Sequence, residues 1–269
     1  MDNNISYNIS YTNGAVFVYS GTGNNLAVAK QIAAVFNLKI IHITDELTKN
    51  PTNFEGNTGV FCFPTYGLGL PLTARNFIKN NHFKFKYMAV LTAMGSNRGG
   101  ALAEAIRLFI RRGQTVHYSK GIKSIENFVH LFGYGPFKRS EFKINRQRKI
   151  TNQIIDDMKS QKTNSKLMFR PLSFLIGALT RWGTRVFMTR YKFLDTCNSC
   201  GVCVKVCPAN ALSINKQKNP KPKMINKKCD ACQGCLQLCP QKAIKKFRVQ
   251  PHSMRYIHTD VVLEELFKR

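Results

Sequence analysis

Eight of the nine cysteines in this 269-residue chain fall in two runs, CNSCGVCVKVCP at 197–208 and CDACQGCLQLCP at 229–240. In each run three cysteines are spaced C-x2-C-x2-C, and a fourth follows after three more residues, just before a proline. Thiolates strung this way on a tight loop can wrap one side of an iron–sulfur cubane. The fourth is carried off the loop to a second cluster. Zinc is the competing reading, because tetrahedral sulfur sites also use paired cysteines. Zinc ribbons, however, separate two C-x2-C pairs by a longer loop instead of stringing three cysteines together. The ninth, Cys62, stands in an apolar run and reads as a buried free thiol.

The two runs are an internal repeat. A shift of 32 residues lays Cys197, Cys200, Cys203 and Cys207 on Cys229, Cys232, Cys235 and Cys239, and Pro208, Ala211 and Leu212 on Pro240, Ala243 and Ile244. Two copies of so short a unit imply one small domain with pseudo-twofold symmetry.

A second candidate site lies near the N-terminus. YSGTGNNLA (19–27) puts Ser20, Gly21, Thr22, Gly23, Asn24 and Asn25 between an apolar run and an amphipathic one. Backbone N–H groups at a helix start, with the Ser20 and Thr22 hydroxyls, make a pocket suited to phosphate. A Walker A loop needs Gly-Lys-[ST], which is absent. A dinucleotide fingerprint needs a small third residue where Leu26 stands. The stretch resembles the flavodoxin phosphate loop, [ST]-x-T-G-x-T, with Asn25 replacing the last threonine and still able to donate to phosphate. A plain tight turn is the alternative.

The elements that would position these residues alternate along the first half. Strands are expected at 15–20, 38–43, 59–63, 87–93 and 114–119. Helices are expected at 24–36, 71–80 (with Pro71 in its first turn), 99–112 and about 141–160. This pattern predicts an α/β flavodoxin-like five-stranded parallel sheet, whose ligand lies at the carboxyl ends of the strands. Two more loops would then share the phosphate loop's edge. One holds Pro64, Thr65, Tyr66 and Gly67, with Tyr66 placed to stack on a flat ring. The other holds Ala93, Met94 and Gly95, with Arg98 nearby. Residues 121–139 are long for a connection and read as a lid or an inserted element.

With both motifs in view, the chain resembles the flavodoxin–ferredoxin fusion proteins. Its second part resembles bacterial two-cluster ferredoxins, of small α+β fold, at every motif position. The resemblance implies one [4Fe–4S] cluster on Cys197, Cys200, Cys203 and Cys239, a second on Cys229, Cys232, Cys235 and Cys207, and non-covalent FMN on the three loops. The expected division is a flavodoxin-like domain over 1–165, a basic and aromatic connector over 166–195, a two-cluster domain over 196–246, and a tail over 247–269. In the tail a short helix would start at Thr259 or Asp260. The expected role is electron transfer between clusters and FMN, as a carrier or as one component of a larger oxidoreductase.

Charge points to the partner. The formal net charge is +27, with +7 in residues 1–130 and +20 in residues 131–269. Residues 197–246 hold ten lysines against one acid, Asp230. The overall field favours an acidic partner, an anionic membrane or nucleic acid without choosing between them, while the lysines of the cysteine runs predict an acidic docking partner and raise cluster potentials; a solvated basic surface is the bland alternative. Without a helix-turn-helix or RNA-binding signature, no specific nucleic-acid partner is expected. A nucleic-acid-binding redox sensor and a ferredoxin with a flavin-free docking domain remain as alternatives.

Segment 167–195 interleaves aromatics with arginines and reads as a connector or a peripheral membrane contact. Pro171–Leu179, the longest apolar stretch, is far short of a membrane span. No secretory signal stands at the start, and unpaired thiols suit the cytoplasm. Adjacent carboxylates (Asp156–Asp157, Glu264–Glu265) and six scattered histidines make neither a hydrolase site nor a nucleophilic triad.

Overall fold

Strand segments buried on both faces need helices above and below, and the first half of the chain supplies them in alternation. The computed structural model describes residues 7–95, 99–127, 140–165, 179–180, 182–184, 191–215, 217, 219–246 and 255–267. The first unit runs β1 (Tyr7–Val18), α1 (Asn24–Phe36), β2 (Lys39–His42), α2 (Asp45–Lys49), β3 (Thr52–Pro64), α3 (Leu72–Asn80), β4 (His82–Met94), α4 (Ala101–Arg111), β5 (Tyr118–Lys123) and α5 (Ser140–Lys159). All strand pairs are parallel, in the order β2-β1-β3-β4-β5. That is the flavodoxin-like order, with its switch point between β1 and β3.

On one face, Leu26 and Ile32 of α1 and Ile154 and Met158 of α5 cover Val16, Val60, Cys62 and Leu91. On the other, α3 and α4 close a phenylalanine-rich layer in which Phe17 stacks on Phe61 at 4.9 Å. Cys62 is fully buried, and burial pushes its thiol far up, as a structural cysteine requires.

Four expectations change. β1, β3 and β4 begin several residues early, because Phe54, Phe83 and Phe85 carry the aromatic layer beyond the aliphatic runs. β5 lies four residues later than expected, over the polar-looking YSKGIK, because Ala89–Met94 pair with Tyr118–Lys123 at the sheet edge. The expected tail helix is a 3-10 turn at Leu263–Leu266, and Pro71 sits at the N-cap of α3 instead of inside it.

The second unit comprises β6 (Lys192–Phe193), α6 (Val202–Lys205), β7 (Leu212–Asn215), β8 (Asn219–Met224), a 3-10 turn at Asn226–Lys228, α7 (Gly234–Gln237) and β9 (Ile244–Lys245). It is a small ferredoxin-type unit, and its sequence repeat is also a backbone repeat. Positive φ angles occur at Ser199 and Ala231, at Gly201 and Gln233, and at Asn210 and Lys242, each pair 32 residues apart.

The two units share a core. Val206 and Leu238 of the cysteine unit, with Val261 and Leu266 of the tail, join the layer formed by α1 and the sheet. Arg98, residues 128–139 of the expected lid, and most of 166–190 lie outside the described residues. Within that connector Leu179 and Trp182 are exposed. Among the described residues no helix is long and apolar enough to cross a membrane.

Candidate functional site

Left-handed residues alternating with right-handed ones turn successive N–H groups toward one point, a geometry that cradles anions, including iron–sulfur clusters. Both cysteine loops carry left-handed residues two apart, Ser199 and Gly201 in one and Ala231 and Gln233 in the other. Backbone N–H groups also reach sulfur: Ala211 donates to Cys207 Sγ at 3.3 Å and Ala231 to Cys229 Sγ at 3.4 Å.

The eight cysteines fall into two neighbourhoods. Burial pushes the Cys203 thiol up to about 12, with Cys239, Cys200 and Cys197 adding to the effect. Burial pushes Cys229 up to about 12, with Cys207 adding while the Ala231 N–H and Lys246 oppose. Cys232 and Cys235 are raised first by burial and then by thiolates of the Cys207, Cys229, Cys232, Cys235 group, with Cys203 of the other neighbourhood the last contributor at Cys235. Each neighbourhood thus unites three cysteines of one run with the fourth of the other. Thiolates so crowded are favoured only beside compensating positive charge, which metal supplies. Among the described residues no His, Cys, Asp or Glu group converges as the ligands of a single ion do. A cubane makes no such demand, since each thiolate binds a different iron.

The quartets differ in exposure. Cys197, Cys200, Cys203 and Cys239 line a cavity of about 330 Å³ with Phe193, Pro222 and Ile244. In that quartet Cys200 is exposed, whereas Cys207, Cys229 and Cys235 of the other are all buried.

A second cavity, of about 340 Å³, opens at the carboxyl edge of the sheet. Ser20, Gly21, Thr22, Asn24, Asn25, Pro64, Thr65, Tyr66, Ala93, Met94 and Gly95 all line it. Two expected residues stand behind it. Gly23 packs under His258, and Gly67 shares with Leu68 the positive φ of a two-residue turn closed by paired Tyr66 and Gly69 bonds. The Asn25 amide is a strut: it donates to the Tyr19 carbonyl and accepts from the Ala93 N–H, tying β1 to β4 beneath the cavity. At the N-cap of the 13-residue α1, Gly23 offers no side-chain cap. Thr65 Oγ1 is buried with no hydrogen-bond partner among the described residues.

Sequence reasoning missed the fourth wall, Ile125, Glu126 and Asn127. The late register of β5 brings it there, with Ser124 N–H donating to the Met94 carbonyl. A correctly placed fifth strand would have revealed it.

The cysteine unit closes onto this edge. A Cβ on Gly21 would stand 2.9 Å from the Cys232 carbonyl oxygen and 3.0 Å from the Tyr66 hydroxyl, and one on Gly234 would stand 2.7 Å from the Gly21 carbonyl oxygen. Only glycine at both positions permits so close an approach. Tyr66 forms the partition. Its hydroxyl bonds the Gly21 backbone, and burial, then the Cys232 thiolate, raise its pKa.

Asp230 fastens the contact. Its carboxylate accepts from the Tyr19 hydroxyl (2.9 Å), Leu72 N–H (2.9 Å) and Thr73 N–H (3.1 Å), so it caps α3 from the other unit. Its isolation as the one acid among ten lysines was the available signal.

The tail straps the rear of the loop at residues 20–25. His258 N–H donates to the Thr22 carbonyl at 2.9 Å, the Tyr256 hydroxyl to Asn24 Oδ1 at 2.5 Å, and Arg148 pairs with Asp260 at 2.5 Å. Burial lowers the His258 pKa below its ordinary 6.5, with Asp260 opposing. Below pH 6.5 the unfolded chain therefore takes up a proton that folded His258 resists, and stability present above that pH falls as the pH drops. Melting curves between pH 7.5 and about 5.5 should show this slope, and His258→Gln should flatten it. An unchanged slope would put the pH dependence elsewhere.

Comparison with known proteins adds two findings. Residues 196–243 match the family model described as 4Fe-4S dicluster domain, which supports [4Fe–4S] binding by this unit. A solved structure, that of the Trp repressor binding protein from Bacillus subtilis, is similar over 57% of this chain and 99% of its own, at 14% identity and a TM-score of 0.32. A likeness of that extent says nothing of ligand or partner. No curated protein matches the chain.

Proposed function

We propose that this protein is an electron-transfer flavo-iron–sulfur protein, a carrier or a component of a larger oxidoreductase, in which two [4Fe–4S] clusters exchange single electrons with FMN. The observation that carries the reading is the contact of Cys232 with Gly21 and Tyr66, where a cluster-ligand loop meets the phosphate loop of the cavity. The cavity residues fit FMN. The uncapped start of α1 suits its phosphate, and Thr65 Oγ1, on the cavity wall, offers an unused polar group. Bound there, FMN supplies a centre that takes one or two electrons and so joins one-electron to two-electron chemistry.

The chain's own groups set the geometry. Tyr66 fills the partition, Asp230 and the tail hold the units in register, and the Ala211 and Ala231 N–H groups donate to cysteine sulfurs. Exposure gives the order. The surface quartet, with Cys200 exposed, meets the outside partner, and the buried quartet meets the flavin. The lysine-rich surface selects an acidic redox protein, with docking that slows as salt rises. A reducing cytoplasm keeps the thiolates available.

Anaerobic purification should give a brown protein with about eight irons, matching sulfide, and about one FMN released per chain on denaturation. Zinc without sulfide would overturn the cluster part, and cluster-loaded protein without flavin would overturn the FMN part.

A further inference from the structure

The positive charge around the two quartets differs in kind. Most described lysines of the cysteine unit, including Lys205, Lys223, Lys227, Lys228 and Lys242, are exposed, so water and salt screen them. Lys246 is only 6% exposed. It follows β9 directly. The β6–β9 ladder pairs Lys192 with Lys245 and Phe193 with Ile244, so its next step sets Lys246 beside Tyr191. The Lys246 ammonium stands 5.4 Å from the Tyr191 ring centroid. That ring packs against a core to which the buried quartet gives Cys207, Cys229 and Cys235 and the surface quartet gives Cys203, with Cys239 at its edge. The Tyr191 hydroxyl is raised by burial and then by Cys235, Cys229, Cys232 and Cys207, the whole of the buried quartet. The surface quartet has a counterpart in Arg255 beside Cys239, but that side chain is only half-buried.

We infer that Lys246 is the potential-setting residue of the buried quartet: a desolvated cation that stabilises the reduced cluster there and draws electrons inward from the surface quartet. The inference rests on the two-cluster reading proposed above. One electron passes from an acidic one-electron donor to the cluster. The cluster becomes more negative by one charge, the donor is oxidised by one electron, and no proton moves and no bond breaks. Burial alone disfavours that added charge. A buried ammonium offsets it, because Coulomb attraction is far stronger away from water. An aromatic face helps to hold the ammonium in place.

The test is an anaerobic redox titration of the full chain followed by EPR of both clusters, with iron and sulfide counted first. In Lys246→Gln, one cluster should need a lower potential. At fixed potential its reduced-to-oxidised ratio should fall at least tenfold, which is about 59 mV for one electron. The other cluster should move far less, Lys246→Arg should recover most of the loss, and Lys227→Gln should move neither. The affected cluster should be the one missing from Cys207→Ala.

Equal shifts in both clusters, or none, at wild-type iron content would overturn the inference. Should Lys246→Gln fail to hold clusters, salt decides on the wild-type protein. Added salt should lower the surface cluster's potential and leave the buried one nearly still; equal responses would overturn the inference. Missing flavin would defeat the FMN reading and leave this one standing, whereas missing iron and sulfide would defeat both.

Discussion

The double variant Cys197→Ala/Cys239→Ala will keep one intact [4Fe–4S] cluster, and Cys197→Ala/Cys207→Ala will keep none. Cys203 is raised by Cys197, Cys200 and Cys239, while Cys232 and Cys235 are both raised by Cys207. If each cluster takes three cysteines from one run and the last from the other, Cys197 and Cys239 serve the same cluster and Cys197 and Cys207 serve different ones. Were each run to bind its own cluster, the outcomes would be exchanged. Iron should fall from about eight to about four in the first variant and toward zero in the second, with EPR of the reduced protein reporting whether the survivor is a cubane. The effect is all-or-none, because a cubane site that loses a thiolate exposes an iron inside an apolar core. Equal iron in the two variants would refute the interlocked assignment.

Asp230→Ala should be the most destabilising change away from the cysteines, by about 3–5 kcal/mol. It strips the acceptor from the Tyr19 hydroxyl and from the Leu72 and Thr73 N–H groups, all at the buried junction of the two units. Hydrogen bonds to a charged acceptor are each worth about 1.5–3 kcal/mol, and donors left buried without a partner add their own cost. Asp230→Asn keeps one carbonyl acceptor and should lose less. Asp195→Ala, at an exposed carboxylate paired with Lys221, should scarcely register. Anaerobic denaturant titration reads all three. Asp230 also holds the Cys232 loop against Gly21, so, on the function proposed above, electron transfer between cluster and flavin should slow in Asp230→Ala even where iron content is unchanged. A stability equal to that of Asp195→Ala would show that the cap carries no load.

Legibility followed the range of the interactions concerned. The C-x2-C-x2-C-x3-C-P runs, the 32-residue repeat and the α1 loop are local, and each was readable as a string because a short loop must present its ligands itself. α1 was found at its true limits, since its apolar periodicity is complete within the helix. β5 was misplaced by four residues because an edge strand answers to its neighbour's register. YSKGIK has little strand character of its own, yet it pairs residue for residue with Ala89–Met94. That slip hid Ile125–Asn127, the fourth wall of the cavity. Asn25 shows the same limit at one residue: its type allowed phosphate donation, and only its surroundings reveal an amide spent between β1 and β4.

The motifs were therefore written in the residue order: two cysteine runs of the [4Fe–4S] kind, a glycine loop at a helix start, and an α/β sheet to carry it. Spatial arrangement was not. That the buried quartet faces the cavity, that Asp230 caps a helix of the other unit, that the tail returns to the Thr22 loop, and that Lys246 is buried where most described lysines of its unit are exposed all depend on contacts between residues far apart in the chain. Such contacts are selected by shared burial, which has no period and no motif.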